Sequence, residues 1–177
     1  MQDSLLLGDF KMSDFKVISG MIGGQAIDAT STTPNHRLGQ IVRAIDMSTG
    51  DYGVGEFVYA NGAASTVVGS VVNYLPDGHA TALAVANSVG AVALSMSANV
   101  ASSYGWYQIT GLGDAKSLAG NADNAAQYLT ATAGSVDDAV VAGDRVHSFM
   151  SASAVGTPSA GLVQIELQYP LTNDIAD

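Results

Sequence analysis

Cysteine is absent from this chain of 177 residues. Its absence excludes a disulfide scaffold, a zinc site built on thiolates and a cysteine nucleophile. A chain of this length needs no such constraint, because a domain of about 150 residues already buries roughly 70% of its unfolded surface when it folds. The length itself is that of about one domain.

Basic residues are also scarce. Six Lys and Arg stand against sixteen Asp and Glu, which gives a formal net charge of −10. Binding to nucleic acid or to an anionic membrane relies on basic residues that meet phosphates. The sequence therefore predicts neither nucleic acid nor a membrane as a partner.

Charge of either sign is rare in the centre of the chain. Between Phe57 and Gly113 the one formally charged residue is Asp77. A catalytic centre usually needs titratable groups, so we expect a protein that is not an enzyme and holds no cofactor. A surface with few charges is more favourable in an assembly than in a free monomer, which favours a structural role.

The sequence shows no pattern that predicts a metal site. His36, His79 and His147 are far apart, and none has the spacing of two ligands on one helical face. The carboxylates at Asp137 and Asp138 and the polar run 121–124 do not match a calcium loop with its closing Glu. Solvated turn residues are the simpler interpretation of both.

Short strands separated by turn residues dominate from Leu38 onward, and no long helical period appears. This spacing predicts an all-β fold, either a small β-barrel or a jelly-roll-like sandwich. Glycines 111 and 113 are expected to end one strand and Pro170 the last one. One short helix is an option at 117–126. The uncharged run 80–101 is interpreted as two strands and a turn, not as a membrane span. The predicted strands are 40–46, 56–60, 70–75, 80–85, 91–97, 105–110, 127–132, 145–150 and 161–168.

Residues 1–37 differ from the rest in composition, because basic and acidic residues mix there and a loop-like segment ends it. Two interpretations remain open: a frayed terminus, or an extended N-terminal arm that becomes ordered on a partner. The second divides the chain into an arm, 1–37, and a β-barrel or sandwich domain, 38–177.

Three aromatic residues are concentrated at Tyr104, Trp106 and Tyr107. On a strand, Trp106 and Gln108 would face away from Tyr107 and Ile109. An exposed aromatic group of this kind can stack on sugars or bases, whereas a buried one anchors the core. The core role is the commoner of the two.

Five segments carry a resemblance to a known family: 67–72 (VVGSVV), 90–95 (GAVALS), 103–111 (SYGWYQITG), 141–146 (VAGDRV) and 154–158 (AVGTP). Together they resemble small capsid decoration (cement) proteins of tailed bacteriophages. In such proteins a strand ends, a tight turn follows, and a strand with a Tyr-Gly-Trp-like sequence comes next in a β-domain rich in Gly, Ala and Val. The resemblance covers roughly 38–170.

The resemblance implies a structural virion protein on the outer capsid surface, which binds the major capsid protein and stabilises the shell, often as a homotrimer. It implies no catalytic residues. The capsid-binding arm would use Phe10, Lys11, Phe15, Lys16, Ile18 and Arg37. The subunit interface would use Tyr104, Trp106 and Tyr107. A carbohydrate-binding or host-attachment β-module of a virion is the alternative.

Overall fold

The computed structural model describes residues 14–18, 24–48 and 50–175. In these residues the fold is all-β without a helix, and 46% of them lie in strands, so the predicted fold class is confirmed. Each strand is bounded by turn residues of the kind that marked it in the sequence. The strands are β1 (Phe15–Val17), β2 (Ile41–Asp46), β3 (Val54–Asn61), β4 (Val71–Tyr74), β5 (Thr81–Leu83), β6 (Gly90–Ser95), β7 (Tyr104–Lys116), β8 (Ala126–Leu129), β9 (Val136–Asp137), β10 (Arg145–Ser151) and β11 (Leu162–Thr172).

All strands belong to one antiparallel sheet that does not close, an arrangement consistent with a sandwich or jelly-roll-like fold. The strand order is β1-β2-β3-β7-β6-β11-β10-β8-β9, and β4 and β5 extend from β6. The long strand β7 joins the two halves, because its first part pairs with β3 and its second part with β11. A single bridge between Asn61 and Ala80 brings the start of β5 back to the end of β3.

The strands enclose three apolar clusters. The largest lies among β4, β6, β8, β10, β11 and the second part of β7, and it includes Leu94, Phe149 and Ile165. An aromatic cluster on one face of β3 and β7 contains Phe57, Tyr59 and Trp106. A third, on the other face of the same strands, contains Val58, Tyr107 and Ile109.

Burial on both faces explains the lack of charge in this part of the sequence. Residues 57–60 of β3 and 105–109 of β7 are all buried. A strand covered on both sides cannot alternate polar and apolar residues. The sequence predicted that Trp106 and Tyr107 point to opposite sides of their strand. This is confirmed, since the two residues belong to clusters on opposite faces.

The prediction that Gly111 and Gly113 end a strand is wrong, because β7 continues through both to Lys116. The two glycines instead allow close approach of other atoms. A Cβ on Gly111 would lie 2.6 Å from the carbonyl oxygen of Val54, and one on Gly113 would lie 2.4 Å from Oε1 of Gln108. They mark a crowded bend inside a strand.

Two further expectations are wrong. Strand β11 runs past Pro170 to Thr172. Its pairing with β10 skips from Leu167 to Leu171, so no hydrogen bond from the proline nitrogen is required.

The segment 117–126 contains turns and no helix. The side chain of Asn121 organises it by donating to Ser117 and Gln127.

The uncharged run 80–101 contains β5, a turn and β6, as predicted. In the part of the chain that the structure describes, no helix is long and apolar enough to cross a membrane.

Candidate functional site

Gln25 is one of the residues that fasten the segment 24–37 to the body, together with Ser31, whose backbone pairs with that of Tyr104. The side-chain amide of Gln25 donates to the carbonyl oxygens of Ala29 at 2.7 Å and Tyr104 at 3.0 Å. Its Oε1 atom accepts from the hydroxyl of Tyr59 at 2.9 Å. It also accepts from Ser31 and Asn35. We call these residues, together with His36 and Trp106, the Gln25 clasp.

The backbone of Gln25 is held as firmly as its side chain. Its carbonyl oxygen accepts from Nε1 of Trp106 at 3.0 Å, and its amide donates to Nε2 of His36 at 3.0 Å. The imidazole ring of His36 lies 5.1 Å from the ring centroids of both Tyr59 and Trp106. Burial lowers the pKa of His36. The neutral imidazole that results can accept the hydrogen bond from Gln25.

The predicted arm residues have two different environments. Phe15 is only 6% exposed and packs edge-on against Phe57, with ring centroids 4.9 Å apart. Lys16, Ile18 and Arg37 are exposed, and Lys16 pairs with Asp14 at 2.7 Å. Phe10 and Lys11 lie outside the described residues. Phe15 therefore belongs to the chain's own core, whereas the other three described residues point to solvent.

The predicted interface residues are mostly internal. Trp106 and Tyr107 have no exposed surface, and Tyr104 is half-buried, stacked on Tyr59. Side chains that are fully covered within one protomer cannot meet a partner subunit in this conformation. Trp106 is a core anchor, and it offers no face to a sugar either.

Two uncharged loops lie nearby, one that follows β3 and one that precedes β7. The loops 62–69 and 96–103 lie against each other, joined by a hydrogen bond of 2.8 Å from the amide of Gly62 to the carbonyl of Ser103. Neither loop contains a charged residue. Val67, Val68 and Val100 are each more than 40% exposed there, at 44%, 42% and 43%. We call these two loops the charge-free tip.

Two carboxylates are buried in contrasting environments. Burial raises the pKa of Asp114 to about 6, although the hydroxyl of Tyr52 donates to it at 2.9 Å and opposes the rise. Burial also acts to raise the pKa of Asp46, but hydrogen bonds from Ser48 and the amide of Asp14 outweigh it and hold the pKa at about 2. Asp46 thereby ties the start of β1 to the end of β2.

A groove of about 270 Å³ crosses the outer face of β8, β10 and β11. It lies beside an irregularity in which Ser148 and Tyr169 both have positive φ. Among the groups that line it are a guanidinium from Arg145, a carboxylate from Glu166 and an apolar side chain from Met150. Bulges of this kind re-aim side chains and are common beside binding sites.

The described residues include no group of three or more His, Cys, Asp or Glu side chains that could hold a metal. The three histidines have different surroundings. His36 belongs to the Gln25 clasp, the ring of His79 covers Gly39, and His147 lies on β10.

Comparison of the chain with protein-family models, with curated protein sequences and with solved structures gives no match.

The sequence contained no local signal for the Gln25 clasp. The bond from Gln25 to Tyr104 joins residues 79 positions apart, and loop chemistry alone does not reveal such a partner. One indirect signal existed, since a Trp predicted to be buried needs an acceptor for its indole N–H. The groove was equally hidden, because it is formed by side chains from three strands.

Proposed function

We propose that this protein is a structural virion protein that binds the outside of a tailed-phage capsid and stabilises the shell, as a trimer that bridges major capsid protein subunits. The resemblance of residues 38–170 to decoration proteins suggests this role. The observation that carries it is the charge-free tip. Exposed apolar side chains on loops without charge are typical of protein–protein contacts.

The tip is held in shape by close backbone packing. A Cβ on Gly62 would lie only 2.0 Å from the carbonyl oxygen of Asn99, so the two loops meet without an intervening side chain. A preformed surface loses little entropy when it binds. We assign the tip to contact between subunits, in place of the buried Trp106 and Tyr107.

The outer side of the N-terminal segment provides the second surface. Lys16, Ile18 and Arg37 are exposed on a segment that Phe15 and the Gln25 clasp hold to the body. Lys16 and Arg37 are two of only six basic residues in an otherwise acidic chain. We assign this surface to binding of the major capsid protein, where multivalency raises the overall affinity of many weak contacts.

The oligomer is tested by measuring the mass of the protein in solution by sedimentation velocity. The double variant Val67→Asp, Val100→Asp should shift a trimer to monomers, because it places charge in the subunit contact. The matched control is Val140→Asp, Val141→Asp, which changes two valines that are 78% and 43% exposed on another loop. A wild-type protein that is monomeric at all concentrations would refute the trimer.

Capsid binding is tested by co-sedimentation with shells of the major capsid protein encoded in the same genome. Deleting the arm is a poor test, because it removes Phe15 and Ile27 from the core. Lys16→Glu and Arg37→Glu should each weaken binding, while Arg145→Glu, with the same charge change on another face, should not. Failure of the wild-type protein to bind these shells would refute the proposal.

A further inference from the structure

The groove over β10 has the chemistry of a ligand site, separate from both surfaces assigned above. Its volume of about 270 Å³ lies just below the roughly 300–1,000 Å³ of pockets for drug-sized molecules. It therefore suits a smaller ligand. Met150, which is 47% exposed, and Ala126 give the groove an apolar part.

Three planar polar groups line the same groove. They are the guanidinium of Arg145, the carboxylate of Glu166 and the amide of Gln168. Gln168 donates to Oε1 of Glu166 at 3.2 Å, so the two side chains lie next to each other. The hydroxyl of Ser148 adds both a donor and an acceptor. Such groups can hold adjacent hydroxyls of a ligand in pairs, because each offers two polar atoms in one plane.

The charge of the groove indicates the charge of its ligand. Of the described residues that line it, one is a cation and one an anion, so their formal charges sum to zero. The whole chain has a formal charge of −10, which disfavours an anionic ligand at long range. A neutral molecule with many hydroxyls and one apolar face fits these conditions.

We infer that this groove binds a neutral sugar, with Arg145, Glu166 and Gln168 bonded to ring hydroxyls and Met150 against the C–H face. The site is not the aromatic group at Tyr104 and Trp106, where sugar binding was considered from the sequence. A virion protein with such a site could contact glycans of a cell surface. The inference does not depend on capsid binding, because the groove is complete within one protomer.

The experiment titrates labelled protein with methyl glycosides of glucose, galactose, mannose and N-acetylglucosamine, up to about 50 mM, and follows amide chemical shifts. That range detects dissociation constants in the millimolar region, which correspond to a binding free energy near −4 kcal/mol. We expect at least one neutral glycoside to shift amides around Ser148, Met150 and Glu166. Arg145→Ala and Glu166→Ala should each weaken binding at least tenfold.

The controls are Arg37→Ala and Asp123→Ala, which remove an exposed charge of the same sign elsewhere and should leave binding unchanged. Thermal melting establishes that every variant is folded. Galacturonate should bind more weakly than methyl galactoside. The inference is overturned if no glycoside causes shifts, if the shifts lie outside the groove, or if galacturonate or the zwitterion glycylglycine binds there in preference.

Discussion

The amide of Gln25 donates to Nε2 of His36 at 3.0 Å, and this bond exists only while the imidazole is neutral. A protonated imidazole has donors on both nitrogens and no acceptor. The same ring packs against Tyr59 and Trp106, so protonation would also place a charge among buried aromatics. Protonation of His36 would therefore disturb the internal fold of segment 24–37 and its packing on the body at Tyr59 and Trp106.

The first prediction concerns pH and His36. Its pKa in the folded protein is below the ordinary 6.5, so its contribution to stability is present above pH 6.5 and is lost as pH falls through 6.5 toward the folded value. His36→Gln keeps an acceptor but does not titrate. Measured by chemical denaturation, the difference in free energy of unfolding between wild type and His36→Gln should therefore shift against the wild type as pH falls from about 7 to 5.

The control for this experiment is His79→Gln, which removes a histidine that has no contact with Gln25. It should retain the bond from Gln25 to His36 and, with it, the loss of stability on acidification that comes from His36. An identical profile for wild type and His36→Gln would mean that the bond to Gln25 does not contribute to the stability of the fold.

The second prediction concerns Gln25 itself, whose side chain makes five hydrogen bonds. Gln25→Ala removes all of them, and the hydroxyl of Tyr59 keeps only its contacts with Ser31 and the amide of Asn35. We expect a loss of about 2–3 kcal/mol in the free energy of unfolding, together with faster amide exchange in 24–37. The exposed Gln168→Ala should cost less than about 0.5 kcal/mol. Equal losses of stability in the two variants would show that the hydrogen bonds of the Gln25 clasp do not stabilise the fold.

The third prediction concerns Asp114, whose pKa is raised to about 6 from 3.8 by burial. Between these values the folded state binds more protons than the unfolded state, so stability from this group falls as pH rises through the window. Asp114→Asn should abolish that fall and stabilise the protein at pH 7 by roughly 1–3 kcal/mol. The exposed Asp123→Asn should do neither.

The slopes from Asp114 and His36 have opposite signs. In the wild-type profile the two contributions therefore offset each other. Comparing Asp114→Asn with the double variant that also carries His36→Gln separates the two contributions, because only the single variant keeps the loss of stability on acidification that comes from His36.

Strands were predictable where one local pattern decided them. The alternation in 40–46 gave β2 to within one residue, since Val42 and Ala44 are buried while Ile41 and Arg43 are exposed. The length of β7 was not predictable in the same way. Glycines usually end a strand, and only the approach of Val54 and Gln108 shows why two of them lie inside this one.

The candidate sites were less predictable than the strands, because each combines residues that are distant in sequence. The aromatic group at 104–107 was found from its composition, but its burial depends on Gln25 and Phe57, which no local pattern connects to it. Exposure of Lys16 beside the buried Phe15 follows from alternation on β1. The pairing of β1 with β2, which buries Phe15, does not follow from any local pattern in the sequence.

The last prediction concerns the charge-free tip. At Gly62 an added Cβ would lie 2.0 Å from the carbonyl oxygen of Asn99 and 2.5 Å from that of Val100. Both atoms belong to the backbone, so the loops must separate to admit even a methyl group. Gly62→Ala should therefore destabilise the protein by about 3 kcal/mol or more, measured by denaturant unfolding. It should also shift amide resonances throughout 96–103.

The matched control is Gly78→Ala. Gly78 has a φ of +71° but open space around its Cβ position, so the substitution costs only the conformational penalty of about 1–2 kcal/mol. If the tip forms the subunit contact, Gly62→Ala should weaken the trimer even under conditions where the protomer remains folded, whereas Gly78→Ala should leave the trimer intact. A variant at Gly62 as stable as the one at Gly78 would show that the two loops do not pack as closely as the tip requires.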